Sequence, residues 1–270
     1  MLDEREAVRF CSFLEPLQPH EARLLLLVVR GRVMREKHGV KVGDTVVARE
    51  IIRPPREGSE VDVFLRKARR LCVLMGHSRE LFVVRKRGPG GPVEIPVPPD
   101  VMGVLVLPNP RHVPRAVAGL VKEIADRLYE VSVSEEPSAA LAELGKTHVR
   151  FAAQLHKHAS RRIYFCFDVD VKDESIVEDV LAMLGGVPAL VLETPRGYHV
   201  LVKALGKEER ARLYRDVLPE VQRKWRDVVE FKNEPQEPLP GAPYAGFRVR
   251  IVEAVGWEEE AGVRVREQTA

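Results

Sequence analysis

The run Arg-Arg-Ile-Tyr-Phe-Cys-Phe-Asp-Val-Asp, residues 161–170, ends an apolar stretch with two carboxylates one residue apart, Asp168 and Asp170. Side chains at i and i+2 of a strand share a face, so a strand here sets the two carboxylates side by side. Bare, they repel; a divalent cation neutralises them. Hard oxygen ligands suit Mg²⁺ or Mn²⁺, the metals of phosphoryl and nucleotidyl transfer. Read without chemistry, the same residues are a polar strand end entering a loop. A second group is Thr-Pro-Arg-Gly-Tyr-His, residues 194–199. Gly197 lets backbone approach an anion, Arg196 can fork onto phosphate oxygens, and His199 is either a third contact or a packing histidine. A third is the acidic stretch Asp227-Val-Val-Glu230.

The elements that must position these groups follow from hydrophobic patterning. A strand over 162–169, a helix over 174–184, strands over 188–193 and 198–203, a helix over 207–224 and a strand over 228–231 give the order β-α-β-β-α-β. This is the split arrangement of ferredoxin-like and RNA-recognition folds, with the first strand central. The C-terminal end of that strand then lies beside the starts of its two neighbours, and all three groups converge at one end of the sheet. Such a set can hold two metals and grip a triphosphate.

Upstream, the pattern predicts helices over 3–15 and 20–37, a strand over 45–52 and a Ser59-capped helix to Met75. Two strands follow around Gly88-Pro-Gly-Gly, which lacks the Lys-Ser/Thr of a phosphate loop and reads as a hairpin turn. Pro96-Val-Pro-Pro marks a boundary. Beyond it come a strand over 104–107, a helix over 113–129 and a helical segment over 138–158. The fold class is thus α+β: an N-terminal mixed α/β module (1–98), an RRM-like core domain (99–255) and a charged tail (256–270).

Phe-Asp-Val-Asp, then Thr-Pro-Arg-Gly-Tyr-His-Val, then a Pro-Leu-Pro-Gly loop (238–241) together resemble the archaeo-eukaryotic primase, or primase-polymerase, superfamily over roughly residues 104–252. The resemblance implies a template-directed, Mg²⁺- or Mn²⁺-dependent nucleotidyltransferase that makes or extends primers. Its partners would be nucleoside triphosphates, a single-stranded DNA template and a primase subunit or helicase. Asp168 and Asp170 would be metal ligands, and His199, helped by Arg196, would contact nucleotide phosphates. The third carboxylate falls on Glu230 or Asp227; Glu230 follows a hydrophobic residue, as in the family. Lys203, on the strand face of His199, and Arg248 and Arg250 are further phosphate contacts or surface charge. The cationic patch with His156, His158, Arg161 and Arg162 attracts template phosphates or complements a helix end. Arg111 contacts nucleotide or caps the helix near Val113.

Rival readings are a non-catalytic RRM-like accessory subunit, a replication-initiator nicking endonuclease, which needs His-hydrophobe-His on a strand, and an unrelated α/β protein. With 270 residues, 45% apolar and 31% charged, the composition is that of a globular protein, and a net charge of +3 permits nucleic acid without arguing for it. Cys11, Cys72 and Cys166 lie far apart in apolar runs, which excludes a Cys-x-x-Cys zinc site and suggests core thiols in a reducing cytoplasm. No apolar run is long enough to span a bilayer, and the acidic start does not read as a signal peptide.

Overall fold

The computed structural model describes residues 1–88, 91–133, 138 and 147–257. It is a mixed α+β protein whose core lies between two antiparallel sheets.

The first sheet collects strands from both ends of the chain. Helix α1 (Glu4–Phe13), capped by the Asp3 carboxylate accepting from the Arg5 amide, precedes β1 (Glu21–Val29). After α2 (Gly31–His38) and β2 (Thr45–Ile52), Ser59 caps α3 (Glu60–Gly76) as its spelling predicts. A short α4 (Ser78–Leu81) leads to β3 (Val83–Gly88) and β4 (Gly91–Pro96), an antiparallel hairpin running from Val83↔Pro96 to Gly88↔Gly91. Then come β5 (Met102–His112), α5 (Val113–Val133) and α6 (Thr147–Lys157). Strand β1 sits between β2 and β5. The helix expected over 20–37 is therefore a strand followed by a shorter helix. All nine residues of β1 are buried, and a strand covered on both faces is a continuous apolar run whose period cannot separate it from a helix.

The second sheet carries the expected order. Its elements are β6 (Tyr164–Val169), α7 (Glu174–Leu184), β7 (Ala189–Glu193) and β8 (Tyr198–Lys203). A helix follows as α8 (Lys207–Arg212), a π-turn (Leu213–Val217) and α9 (Leu218–Trp225), and β9 (Val229–Lys232) closes the unit. The strands lie in the order β9-β6-β8-β7, so β6 is central. The chain then returns to the first sheet as β10 (Glu237–Pro238), β11 (Pro243–Tyr244) and β12 (Phe247–Arg248), and ends in β13 (Arg250–Val255) beside β7.

Each face of the second sheet has its own cover. Phe165, Phe167, Val169, Val191, Val200 and Val202 pack under the helices with Ile176, Val180, Val217 and Val221. The alternate residues Tyr164, Leu190, Leu192, Leu201 and Ile251 share a cluster with Phe10, Phe13, Leu25, Val104 and Leu239 of the first unit. Strand pairing and core both cross the boundary expected near residue 98. Buried Asn109 ties the two sheets: its amide donates to the Tyr164 carbonyl, and its oxygen accepts from the Ile163 and Tyr164 amides, each at 2.9 Å. The tail from residue 258, and most of 134–146 ahead of α6, lie outside the described residues.

Candidate functional site

Register builds the site. On β6, Asp168 stands directly opposite His199 of β8 and Glu230 of β9. Residues paired across strands share a face, so the three form one row. The row lies at the end of a face whose apolar positions Tyr164, Leu192 and Leu201 are covered by the first unit and which also carries Lys203 and Lys232. Asp170 lies just past β6, exposed, with its amide bonded to the Val228 carbonyl.

The turn Thr194–Gly197 brings Arg196 to the same end. The Thr194 amide donates to the Gly197 carbonyl at 3.0 Å, and the Gly197 amide donates back to the Thr194 hydroxyl at 3.3 Å. A side chain at Gly197 would put its Cβ 1.8 Å from the Val169 carbonyl oxygen. Glycine is needed there so that the turn can close on β6. That differs from the expected approach of backbone to an anion. Arg196 is exposed, and among the described residues it makes no hydrogen bond or ion pair.

These groups line a cavity of ≈ 170 Å³ between the end of the second sheet and α2. Its walls hold Asp168, Asp170, Arg196 and His199 on one side and Arg30, Arg32, Glu36 and Tyr244 on the other. Arg30 bonds Asp44 at 3.1 Å and lies 5.1 Å over the Tyr244 ring. It is also the N-cap of α2, where the Asp44 carboxylate accepts from the Gly31 amide at 2.7 Å and so already supplies the negative charge that a helix start favours. The sequence reading missed Arg30 and Arg32; an arginine pair opening a short helix has no local signature.

Behind the wall, four charges alternate in sign. The Lys232 ammonium bonds one oxygen of Asp168; the His199 Nε2 donates to the other at 3.1 Å; the His199 Nδ1 donates to Glu237 at 2.7 Å. Burial opposes the charged form of Asp168, but His199 and Lys232 outweigh it and hold the carboxyl well below the usual carboxylate range. Burial likewise works against a charged His199, yet Glu237, with the Asp168 hydrogen bond, raises its pKa well above the ordinary value. The ring is an imidazolium with both nitrogens occupied. Burial works against Lys232 too, and the Asp168 hydrogen bond raises it nonetheless.

Cys166, His199 and Glu237 offer ligand atoms within 4.8 Å of one another. Burial pushes the Cys166 thiol up to about 12. Cys166 and Glu237 are closed to solvent, so the trio orients His199 from behind.

The remaining expected residues are placed elsewhere. Asp227 is 92% exposed and lines a groove with Glu230 and Asp170 beside α9, not the Asp168 cavity. Lys203 bonds Glu15 at 2.6 Å and the Phe13 carbonyl at 3.2 Å, anchoring the end of α1 where a phosphate contact was expected. Arg111 is 2% exposed and held by Glu234 and the His156 carbonyl. Arg161 grips buried Glu21 through two bonds, and exposed Arg162 pairs with Glu234. His156 is on α6, half-buried beside Gln236, and His158 follows the helix end, so the two are not on a strand as a nicking endonuclease needs. Arg248 and Arg250 are exposed; Arg248 reaches the Met1 carbonyl, and Arg250 pairs with Glu193.

No helix among the described residues is long and apolar enough to cross a membrane. No family model matches the chain, and neither the curated proteins nor the solved structures contain a match to it.

Proposed function

We propose that the chain is a divalent-metal-dependent nucleotidyltransferase of the primase-polymerase kind, acting on nucleoside triphosphates and a single-stranded DNA template. One observation carries the reading: Asp168 and His199 lie in one cross-strand row, beside Asp170, on a cavity whose other walls bring Arg30, Arg32 and Arg196. Carboxylates with an arginine beside them and further arginines facing them across one cavity suit a substrate that arrives as a metal-bound polyphosphate.

The donor set fits Mg²⁺ or Mn²⁺. Asp168 and Asp170 offer hard oxygens at the cavity wall, and Asp168 already draws two cations to itself. These two residues would hold the metal. Once bound, it would acidify the attacking 3′-hydroxyl and stabilise the departing pyrophosphate. Arg196, which makes no hydrogen bond or ion pair among the described residues, grips phosphate oxygens, and Arg32, paired with Glu36 at 2.8 Å, faces it across the cavity. His199 keeps Asp168 oriented and adds a buried positive charge behind the phosphates. Its nitrogens do not contact nucleotide while Asp168 and Glu237 hold them.

The test is primer extension on a DNA template with Mg²⁺ or Mn²⁺ and both nucleotide types. Asp168→Ala and Asp170→Ala should each remove about a hundredfold or more of the rate. Unchanged rates in both variants reject the site. A second reading, a nucleotide-binding accessory module without catalysis, is favoured by the lysine that already neutralises Asp168. It predicts nucleotide binding with no extension under any metal.

A further inference from the structure

Both oxygens of Asp168 are already engaged, so a divalent ion there competes with a cation. One of its oxygens is taken by His199 and the other by Lys232. The two cations differ in how firmly they are held. His199 is fixed at both ring nitrogens, on a strand paired on each side. Lys232 is on the edge strand β9, 32% exposed, with a long flexible stem. A second carboxylate is already near it: Glu230 lies 3.6 Å from the same ammonium. Glu230 is itself 66% exposed and lines the neighbouring groove, not the cavity that holds Asp168 and His199.

We propose that Lys232 is a built-in counter-cation of the site: it holds Asp168 when no divalent ion is present and passes to Glu230 when one binds. Glu230 is then the second partner of the lysine, not a metal ligand. The inference rests on the reading of Asp168 as a metal-holding residue and adds to it the group with which a metal competes. The charges support the exchange. A divalent ion arriving at Asp168 meets His199 and Lys232 already bonded to its two oxygens, so one of them withdraws. Lys232 withdraws with least disruption, because its new partner is at hand and its departure exposes no buried ring. Without metal, the lysine keeps Asp168 in place and relieves its repulsion with Asp170 and Glu230.

The experiment measures Mn²⁺ binding to the full chain by the electron spin resonance of free Mn²⁺ and by calorimetry, with circular dichroism to verify folding. Four proteins are compared: wild type, Lys232→Met, Glu230→Gln and the double variant; Lys232→Gln replaces Lys232→Met should that variant not fold. Lys232→Met should bind Mn²⁺ about tenfold more tightly or better, since an opposite charge within ~4–6 Å biases a carboxylate by one to three log units. Glu230→Gln should weaken binding in the wild-type background and leave it unchanged in the Lys232→Met background, as a residue acting only through the lysine must. Equal affinity in wild type and Lys232→Met overturns the inference while leaving Asp168 a ligand. So does an equal loss from Glu230→Gln in both backgrounds, which would make Glu230 a ligand. Absence of Mn²⁺ binding in all four proteins overturns the inference together with the metal-dependent reading beneath it.

Discussion

Whether a positive side chain is available to a ligand depends on what else holds it. Arg196 and Lys203 show the contrast within one hairpin. Arg196 is exposed on the β7–β8 turn and makes no hydrogen bond or ion pair among the described residues, whereas Lys203, 13% exposed, bonds Glu15 and lies 5.6 Å over the Phe13 ring. Arg196→Ala should leave stability within about 0.5 kcal/mol and raise the apparent KM for nucleotide about tenfold or more. Lys203→Met should leave KM unchanged and lower stability by about 1–3 kcal/mol, because Glu15 loses its partly buried counterion. Steady-state kinetics and denaturant unfolding of the two variants check this; a KM effect from Lys203 with no loss of stability would reverse the assignment. The motif Thr-Pro-Arg-Gly-Tyr-His pointed to Arg196, which lines the cavity with Asp168 and His199. It could not mark Lys203 as taken, since Glu15 is far away in the chain.

Elements of the second sheet were legible because each strand, though covered on both faces, is short and bounded by clear turns. Strand β1 was not. Its run Arg-Leu-Leu-Leu-Leu-Val-Val is buried on both faces between β2 and β5, and only its neighbours decide that it is extended. The same strand explains why the cationic patch before β6 is not free. Glu21, buried at the start of β1, accepts two bonds from Arg161. Burial works to raise the Glu21 pKa, but Arg161 and the Gln18 amide lower it below the ordinary glutamate value. The group binds fewer protons folded than unfolded, so its contribution is present above about pH 4.3 and is lost as pH falls through the lower folded-state value. Glu21→Gln should therefore be less stable than wild type at pH 5–7, with the gap closing as pH falls below about 4.3, the unfolded-state value. Guanidinium midpoints across that range measure it, and a gap independent of pH would show that ionisation is not its source. Arg161→Ala should likewise cost stability while leaving DNA affinity unchanged.

At the scale of the whole molecule, the two sheets behave as one body in the features that hold them. Their apolar faces share a cluster, residues 237–248 return to the first sheet, and Asn109 of β5 satisfies three backbone groups of β6 and its approach. Removing that amide leaves two buried donors and one acceptor unpaired, at about 1–3 kcal/mol each. Asn109→Ala should lower stability by about 3 kcal/mol or more, with wild type and variant both unfolding in a single transition. Two separate transitions in the wild type would instead favour the division near residue 98. The cavity depends on this joining, because α2 and Tyr244 belong to the first unit and Asp168 and His199 to the second.

The residues of the candidate site were recognisable along the chain: an Asp-x-Asp strand end, an Arg-Gly-Tyr-His turn and the element order that sets β6 between two partners. Those are local matters of spacing and periodicity. Only the tertiary structure decided which charges remain free. Glu237 behind His199, Lys232 on Asp168, and Arg30 and Arg32 across the cavity come from separate segments, and a charge alters another only over a few ångströms of space, whatever the distance along the chain.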